Sequence, residues 1–243
     1  IPVIMLFAKD EKEEIKALDK LINYHKVRLI LLNNTKKIDK RINYLDDNNI
    51  NYITWGRCGK EAKEYSWIDE DIEYSNQLAI DHILKKGHKN IGYIDSDLKL
   101  NYSLLRKQCF IETLKKNKIK INKNFFVNGY RDSMKKTVQN VKDLLVNNTE
   151  ISVLLVSSHL FAMYVIEACN QLNKKIGRDI SLLSFDTNIL STMAPNITVV
   201  SQPVKKTNEY FIKIINSKIN NLSKNYNYLY KTKLVDNNSV ISI

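Results

Sequence analysis

The chain has 243 residues, of which 44% are hydrophobic and 26% are charged, so the composition predicts a packed globular protein and excludes a disordered one. No apolar run reaches the roughly 18 residues that cross a bilayer, and the 6 glycines and 3 prolines are too few for a low-complexity chain. The net charge of +12 comes from lysines scattered among Asn and Ile over the whole length. This scatter favours solvated helix faces, with an anionic partner such as nucleic acid as the alternative.

In the first part of the chain, apolar runs of strand length alternate with amphipathic helical stretches. Asp and Glu stand in the first turn of the first helix, and Gly87 stops the third, as is usual at helix ends. The predicted elements are strand Val3–Phe7, helix Lys9–Lys26, strand Val27–Leu32, helix Ile38–Asn48, strand Tyr52–Trp55, helix Asp71–Lys86 and strand Ile91–Asp95.

The same alternation continues to the end of the chain. The predicted elements there are helix Ser103–Lys116, strand Phe125–Asn128, helix Ser133–Val146, strand Val153–Ser157, helix Leu160–Leu172, strand Ile180–Phe185, strand Ile197–Ser201, helix Val204–Asn221 and strand Tyr228–Val235. Alternation of this kind predicts an α/β fold of parallel sheets with helices on both faces.

The number of strands is too high for one small sheet, so we predict two doubly wound parallel-sheet lobes. The first lobe is expected to comprise residues 1–95 and about 204–226, and the second residues 96–203 and about 227–243. The boundary is expected near Asp95–Leu100, with further crossings near Gln202 and Asn225.

The sequence contains no catalytic signature. It lacks GxSxG, GxxxxGK[ST], GxGxxG and HExxH, so we do not expect an enzyme. Cys58, Cys109 and Cys169 stand far apart without CxxC spacing, which is typical of a reducing compartment. The four histidines have no metal-ligand spacing, and neither a metal site nor a cofactor is expected.

Three segments remain as candidates for a binding site. The run from Asp179 leads through an apolar strand to the carboxylate of Asp186, and ligands of open α/β sheets bind at the carboxyl ends of strands. Arg106 lies early in a predicted helix, where its several donors could reach a ligand, with an ordinary surface arginine as the alternative. The turn at Gly87-His88 leads into strand Ile91–Asp95, with an ordinary helix-to-strand loop as the alternative.

In this order and separation, the three segments resemble the effector-binding core of the LacI/GalR family of bacterial transcription regulators, which has the fold of type I periplasmic sugar-binding proteins. The resemblance runs from about Ile1 to Ser239 and implies a ligand cleft between the two lobes. Its landmarks are Gly87-His88 with Ile91, Arg106 with Phe110, Asp179-Ile180-Ser181 through Phe185-Asp186, and Ile197-Thr198-Val199 with Gln202-Pro203.

The resemblance implies that Arg106 and Asp186 bind ligand hydroxyls from the second lobe, while Asp69 approaches from the first. Tyr130 stands where the family often has an aromatic that stacks on a sugar, with a packing role as the alternative. Ser158 and His159 replace the family's common Asn-Asp and are further candidates for ligand binding. Because this exchange removes polar contacts, the effector is expected to be an unusual sugar, another polar metabolite, or absent.

Family members begin with a helix-turn-helix headpiece and a hinge helix, which this chain lacks, so DNA contact is expected to belong to a headpiece outside it. Ile1–Phe7 resembles the second strand of the effector domain better than the first. A missing interior strand would leave backbone groups unpaired. Either residues are omitted from the sequence, including a first strand–helix unit, or Ile1–Phe7 pairs centrally.

We therefore expect the effector-sensing core of a cytoplasmic LacI-family repressor that binds a sugar or related small polar metabolite. It would act as a homodimer on operator DNA, because operators are usually two-fold symmetric. No membrane partner is expected. The alternative is the solute-binding protein of a sugar transporter, which has the same fold.

Overall fold

The computed structural model describes residues 3–61, 63–95, 99–186 and 188–243, so part of the predicted boundary at Asp95–Leu100 lies outside the described residues. None of the helices within these ranges is both long and apolar enough to cross a membrane. Helices and strands alternate along most of the chain, as the apolar pattern predicts.

The elements up to the fifth strand are α1 (Glu11–Asp19, continued by a π-helical turn Lys20–Tyr24), β1 (Leu29–Leu32), α2 (Lys40–Asp47), β2 (Asn51–Trp55), β3 (Ser66–Glu70), α3 (Ile72–Lys85), β4 (Ile91–Asp95), α4 (Asn101–Lys116) and β5 (Phe126–Asn128). The remaining elements are α5 (Met134–Asn147), β6 (Val153–Val156), α6 (His159–Gln171), β7 (Ser181–Asp186), α7 (Leu190–Met193), β8 (Thr198–Ser201), α8 (Val204–Asn220), β9 (Asn227–Tyr230) and β10 (Lys233–Val235).

The first unit comprises the described residues of Ile1–Asp69 and Glu209–Leu229. Its sheet has the strand order β1-β2-β3-β9, and β1, β2 and β3 run parallel. Leu18 of α1 and Leu45 of α2 pack with strand residues such as Ile30 and Trp67 in one apolar cluster. This burial is what fixes the two helices on the sheet.

The second unit comprises the described residues of Glu70–Asn208 and Tyr230–Ile243. Its sheet has the order β10-β8-β7-β6-β4-β5, parallel except for β10. Both faces of β6 are buried, because Val153 and Leu155 pack with α3 and α4 while Leu154 and Val156 pack with α5 and α6. A parallel strand that is covered on both faces needs a continuous apolar run, and for this reason the sequence predicts β6 clearly.

The two units differ in extent from the predicted lobes. The chain passes from one unit to the other within β3, α8 and β9, whereas the first crossing was expected after β4. Ile91 of β4 pairs with Val153 and Tyr93 pairs with Phe126, so β4 is an interior strand of the six-stranded sheet. Residues 70–95 therefore belong to the second unit.

Three further expectations differ from the structure. The predicted strand Val3–Phe7 is wrong, because these residues form no strand and their side chains are 39 to 88% exposed. The predicted last strand is two strands in different sheets, β9 and β10. Strand β3 was not predicted, because three of the five residues of Ser66–Glu70 are polar, yet all five are buried.

The amino ends of the central strands of the second sheet are closed by His88 and the C-terminal residues. His88 follows Gly87, whose φ of +95° ends α3, and its side chain is fully buried. Its Nε2 donates to the carbonyl of Ile241 (2.9 Å), so Nδ1 is left to accept from the hydroxyl of Ser152 (2.7 Å). Burial lowers the pKa of His88, and the neutral ring is therefore the form that this end of the sheet requires.

We predict that His88→Ala lowers the free energy of unfolding by about 2–4 kcal/mol, because it leaves buried hydrogen-bonding groups unpaired beside a cavity. The matched control is His25→Ala, since His25 is exposed. Urea unfolding followed by circular dichroism measures both. Equal and small effects of the two substitutions would contradict the role given to His88.

The same histidine predicts how stability depends on pH. Because its pKa is lower in the folded state, its contribution to stability is complete above the unfolded-state pKa of about 6.5 and is lost as the pH falls below it. His82 acts in the same direction, because burial lowers its pKa despite the opposing charge of Asp236. The urea concentration at the midpoint of unfolding should therefore decrease as the pH is lowered from 7 to 5. The decrease should be less steep in His88→Ala.

Candidate functional site

The parallel register of the second sheet brings polar residues to one edge. Ile94 is the partner of Val156, and Val156 is the partner of Ser184. The residues at or just beyond these strand ends are Asp95 on β4, Ser157 after β6 and Asp186 on β7. All three are buried, so their polar atoms need partners other than bulk water.

Arg106 reaches this edge from α4. Phe110, one turn further along α4, is fully buried in the core, which turns the same helix face and Arg106 towards the sheet. The guanidinium donates from Nη1 to the carbonyl of Ser157 (2.7 Å) and from Nη2 to Oε2 of Glu70 (2.9 Å). Its Cζ lies 4.3 Å from the ring centroid of Phe185. One side chain thus connects Glu70 with the ends of β6 and β7.

The electrostatics of Arg106 depend on Glu70. Burial lowers the pKa of the guanidinium, but the charge of Glu70 and the hydrogen bond to it, together with the neighbouring Tyr93 and Tyr102, raise the pKa above its ordinary value. Gln202 supports the pair by donating from Nε2 to the same carboxylate oxygen (3.0 Å). A buried ion pair of this kind requires both members, because removal of one leaves a charge without compensation.

Asp186 ends β7 and begins the next turn. Its Oδ1 accepts from the amides of Ile189 (3.2 Å) and Leu190 (3.3 Å), which fixes the carboxylate against the start of α7. Its Oδ2 is buried and has no hydrogen-bond partner among the described residues. A buried carboxylate oxygen in that position is an acceptor available to a ligand or to water.

Other buried polar atoms without a described partner are found on the same elements. They are the hydroxyls of Tyr93, Ser103, Ser157 and Ser158 and the Nε of Arg106. Native proteins leave few such atoms, and a concentration of them is typical of a place where a ligand or ordered water completes the hydrogen bonds. The group contains both donors and acceptors, as recognition of a hydroxylated molecule requires.

Ser158 and His159 begin α6 beside this group. Ser158 is the N-cap residue, but its side chain makes no capping hydrogen bond. Burial lowers the pKa of His159, while the charge of Asp186 opposes that shift and the charge of Arg131 adds to it. The structure thus brings His159 within electrostatic reach of Asp186, and both lie in the same unit as Arg106.

Tyr130 lies in the turn after β5 and is half-buried. The ammonium of Lys136 is 3.8 Å from the centroid of its ring, so one ring face already carries a cation. Its backbone amide donates to the hydroxyl of Thr137 (2.7 Å). The predicted stacking of this ring on a sugar stays a prediction.

Asp69 belongs to the first unit, where it lies near the end of β3. It accepts from both the backbone amide (3.1 Å) and the Nε (2.7 Å) of Arg57, whose guanidinium also lies 5.4 Å from the ring of Trp67. This arrangement orients Arg57, which is partly exposed. The predicted participation of Asp69 in one site with Arg106 and Asp186 stays a prediction.

Two acidic residues were not singled out from the sequence. Glu70 is the partner of Arg106, and Asp95 lies 3.7 Å from the ammonium of Lys107. Asp95 ends a strand as Asp186 does, so the rule that selected Asp186 applied to it equally. Glu70 had no such signal, because its strand was not recognised. Within residues 3–61, 63–95, 99–186 and 188–243, no group of three or more His, Cys, Asp or Glu side chains is placed to hold a metal ion.

Comparison with known proteins gives one family match. The model of the periplasmic binding protein-like domain matches residues 80–240. Among curated proteins, the HTH-type transcriptional regulator MalR of Clostridium butyricum is 27% identical over 185 residues, which are 76% of this chain and 55% of MalR. The chain spans about half the length of the curated relatives it matches.

Solved structures share the fold at low sequence identity. A transcription regulator-like protein from Staphylococcus haemolyticus has a TM-score of 0.86 at 18% identity, over 99% of this chain and 85% of the other. The complex of the transcriptional regulator CelR with cellobiose has a TM-score of 0.83 at 17% identity, over 93% of this chain and 70% of the other. The predicted α/β fold of the type I periplasmic-binding-protein kind is confirmed.

We predict that Glu70→Ala lowers the free energy of unfolding by about 3–5 kcal/mol, because it leaves the buried guanidinium of Arg106 unpaired. The matched control is Glu73→Ala on the adjacent helix, where an exposed ion pair with Lys116 contributes less than about 1 kcal/mol. The double substitution Glu70→Met/Arg106→Met should cost less than Glu70→Ala alone. Urea unfolding measures all three, and a double variant less stable than Glu70→Ala would refute the explanation.

Proposed function

This chain belongs to the family of periplasmic binding protein-like domains, and on that premise we propose that it is the effector-sensing core of a LacI/GalR-type transcriptional regulator. The predicted resemblance to that family is confirmed by the family match and by curated relatives that are transcriptional regulators and repressors. Those relatives are not enzymes, and they favour a regulator over the transporter alternative.

The observation that carries the proposal is the group of buried polar atoms around Arg106 and Asp186. Donors and acceptors lie together at the carboxyl edge of one sheet. They are a guanidinium held in place, a carboxylate with one oxygen that has no partner among the described residues, and several hydroxyls. Hydroxylated molecules are recognised by such groups in a largely preformed pocket. Arg106, Asp186, Ser158 and His159 are the residues that we propose bind the effector.

A ligand can regulate DNA binding only through different affinities for two conformations. We propose that effector binding changes the balance between two arrangements of the whole protein, one of which binds operator DNA. The proposal includes a homodimer, because a two-fold symmetric operator suits two identical subunits. It also places the protein in the cytoplasm, without a cofactor and without enzymatic activity.

The effector site is tested by Asp186→Asn. Asparagine keeps an acceptor for the amides of Ile189 and Leu190, so the turn should persist, but the carboxylate charge is lost. We expect a thermal-shift screen of sugars and polar metabolites to find a stabilising ligand, and Asp186→Asn to weaken its binding by about tenfold or more. Unchanged affinity in a calorimetric titration, with the fold intact by circular dichroism, would remove Asp186 from the site.

The regulatory role needs the complete gene product. We expect it to retard a DNA fragment from upstream of its own gene, and the effector to change that binding by the ratio of its affinities for the two conformations. A ligand that binds as expected without any effect on DNA would instead support the solute-binding alternative.

A further inference from the structure

The first turn of α6 presents donors without a side-chain cap. Ser158 is in the N-cap position, yet its hydroxyl is buried and makes no hydrogen bond within the described part of the chain. The preceding residue, Ser157, is fully buried, and its hydroxyl also has no hydrogen-bond partner among the described residues. The amides at the start of a helix carry a partial positive charge and favour an anion.

Arg131 adds positive charge at this place. The turn that carries it packs against α6, because Gly129 lies directly beside the ring of Phe161. The charge of Arg131 also acts on His159, the first residue of α6. Arg131 is exposed and donates from Nη1 to the hydroxyl of Tyr102 (3.2 Å). No carboxylate within the described ranges lies at ion-pair distance from the guanidinium of Arg131, so its charge is available to a ligand.

Asp186 also acts on His159 and supplies the opposite chemistry. One of its oxygens is held by backbone amides, while the buried one needs a donor such as a hydroxyl. Asp186 and Arg106 therefore suit the hydroxyl groups of a ligand. The start of α6 with Arg131 suits a group that accepts hydrogen bonds and carries negative charge.

We propose that the site in the second unit takes a hydroxylated ligand that also carries an anionic group, either a carboxylate or a phosphate. Its hydroxyls bind Asp186 and Arg106, and its anionic group binds the first turn of α6 between His159 and Arg131. The inference rests on the proposed function and narrows it, because it makes the effector an acidic or phosphorylated sugar instead of a neutral one.

The experiment offers the purified chain matched sets of ligands in calorimetric titrations. Each set contains one pentose or hexose as the neutral sugar, the sugar acid and the phosphate monoester, and acetate and inorganic phosphate serve as bare anions. We expect an anionic member to bind about tenfold or more tightly than the neutral member of its set. Comparison of the sugar acid with the phosphate monoester shows which anionic group the site binds.

Arg131→Gln should remove most of that difference while leaving the affinity for the neutral sugar within about threefold, since an exposed guanidinium gives mainly charge-assisted contacts. Lys135→Gln is the matched control, because it removes an exposed positive charge from nearby α5. The anionic preference should also weaken with added salt, whereas hydrogen bonds to Asp186 should not.

The pH dependence gives an independent measurement. Among the described residues, Asp186 and Arg131 are charged groups that act on His159, and burial lowers the pKa of its ring, which is therefore neutral near pH 7. Affinity for the sugar acid, whose carboxylate stays ionised, should rise between pH 7.5 and 5.5 as the ring gains a proton. His159→Gln should flatten this rise.

The outcomes separate the inference from the function it rests on. A neutral sugar that binds as tightly as its anionic relatives, with no effect of Arg131→Gln, would overturn the inference and leave the proposed function standing. Bare anions that bind as tightly as anionic sugars would overturn the part given to Asp186 and Arg106. Binding of no member of any set would count against both.

Discussion

A buried positive charge must be compensated inside the protein, and in the second unit that requirement is concentrated on Arg106. Its guanidinium is bonded to Glu70 and to the carbonyl of Ser157, and it lies over the ring of Phe185. These contacts hold Glu70 and the ends of β6 and β7 against α4. The polar edge of the sheet, with Asp186 and the start of α6, is therefore organised around one ion pair.

The two ends of the second sheet are built for different purposes. At the amino ends of the strands, His88 uses both ring nitrogens on Ser152 and Ile241, and the C-terminal residues complete the closure. At the carboxyl ends, hydroxyls and a carboxylate oxygen lie buried without partners among the described residues. The amino ends thus stabilise the sheet, whereas the carboxyl ends retain buried atoms that can hydrogen-bond to a ligand. Open α/β sheets bind ligands at the same carboxyl edge.

Local pattern was a good guide where a strand is covered on both faces. The runs at residues 91–94 and Val153–Val156 lack charged residues because both of their faces pack on helices, and the sequence marks them clearly. It was a poor guide at Val3–Phe7, which has the same apolar character but no strand. A strand exists only where a neighbour accepts its hydrogen bonds, and an apolar run does not specify that neighbour.

The sequence by itself determined the α/β class and most of the helices, because hydrophobic periodicity is a local property. It also made Asp186 a candidate through its place at a strand end, and Arg106 through its place in a helix and the family resemblance. Only the tertiary structure decided that Glu70 compensates Arg106, that β4 belongs to the six-stranded sheet, and that Arg131 acts on the same histidine as Asp186. These relations join residues distant in the chain. They depend on strand order and register, which arise from the packing of the whole sheet and leave no mark on any short stretch of sequence.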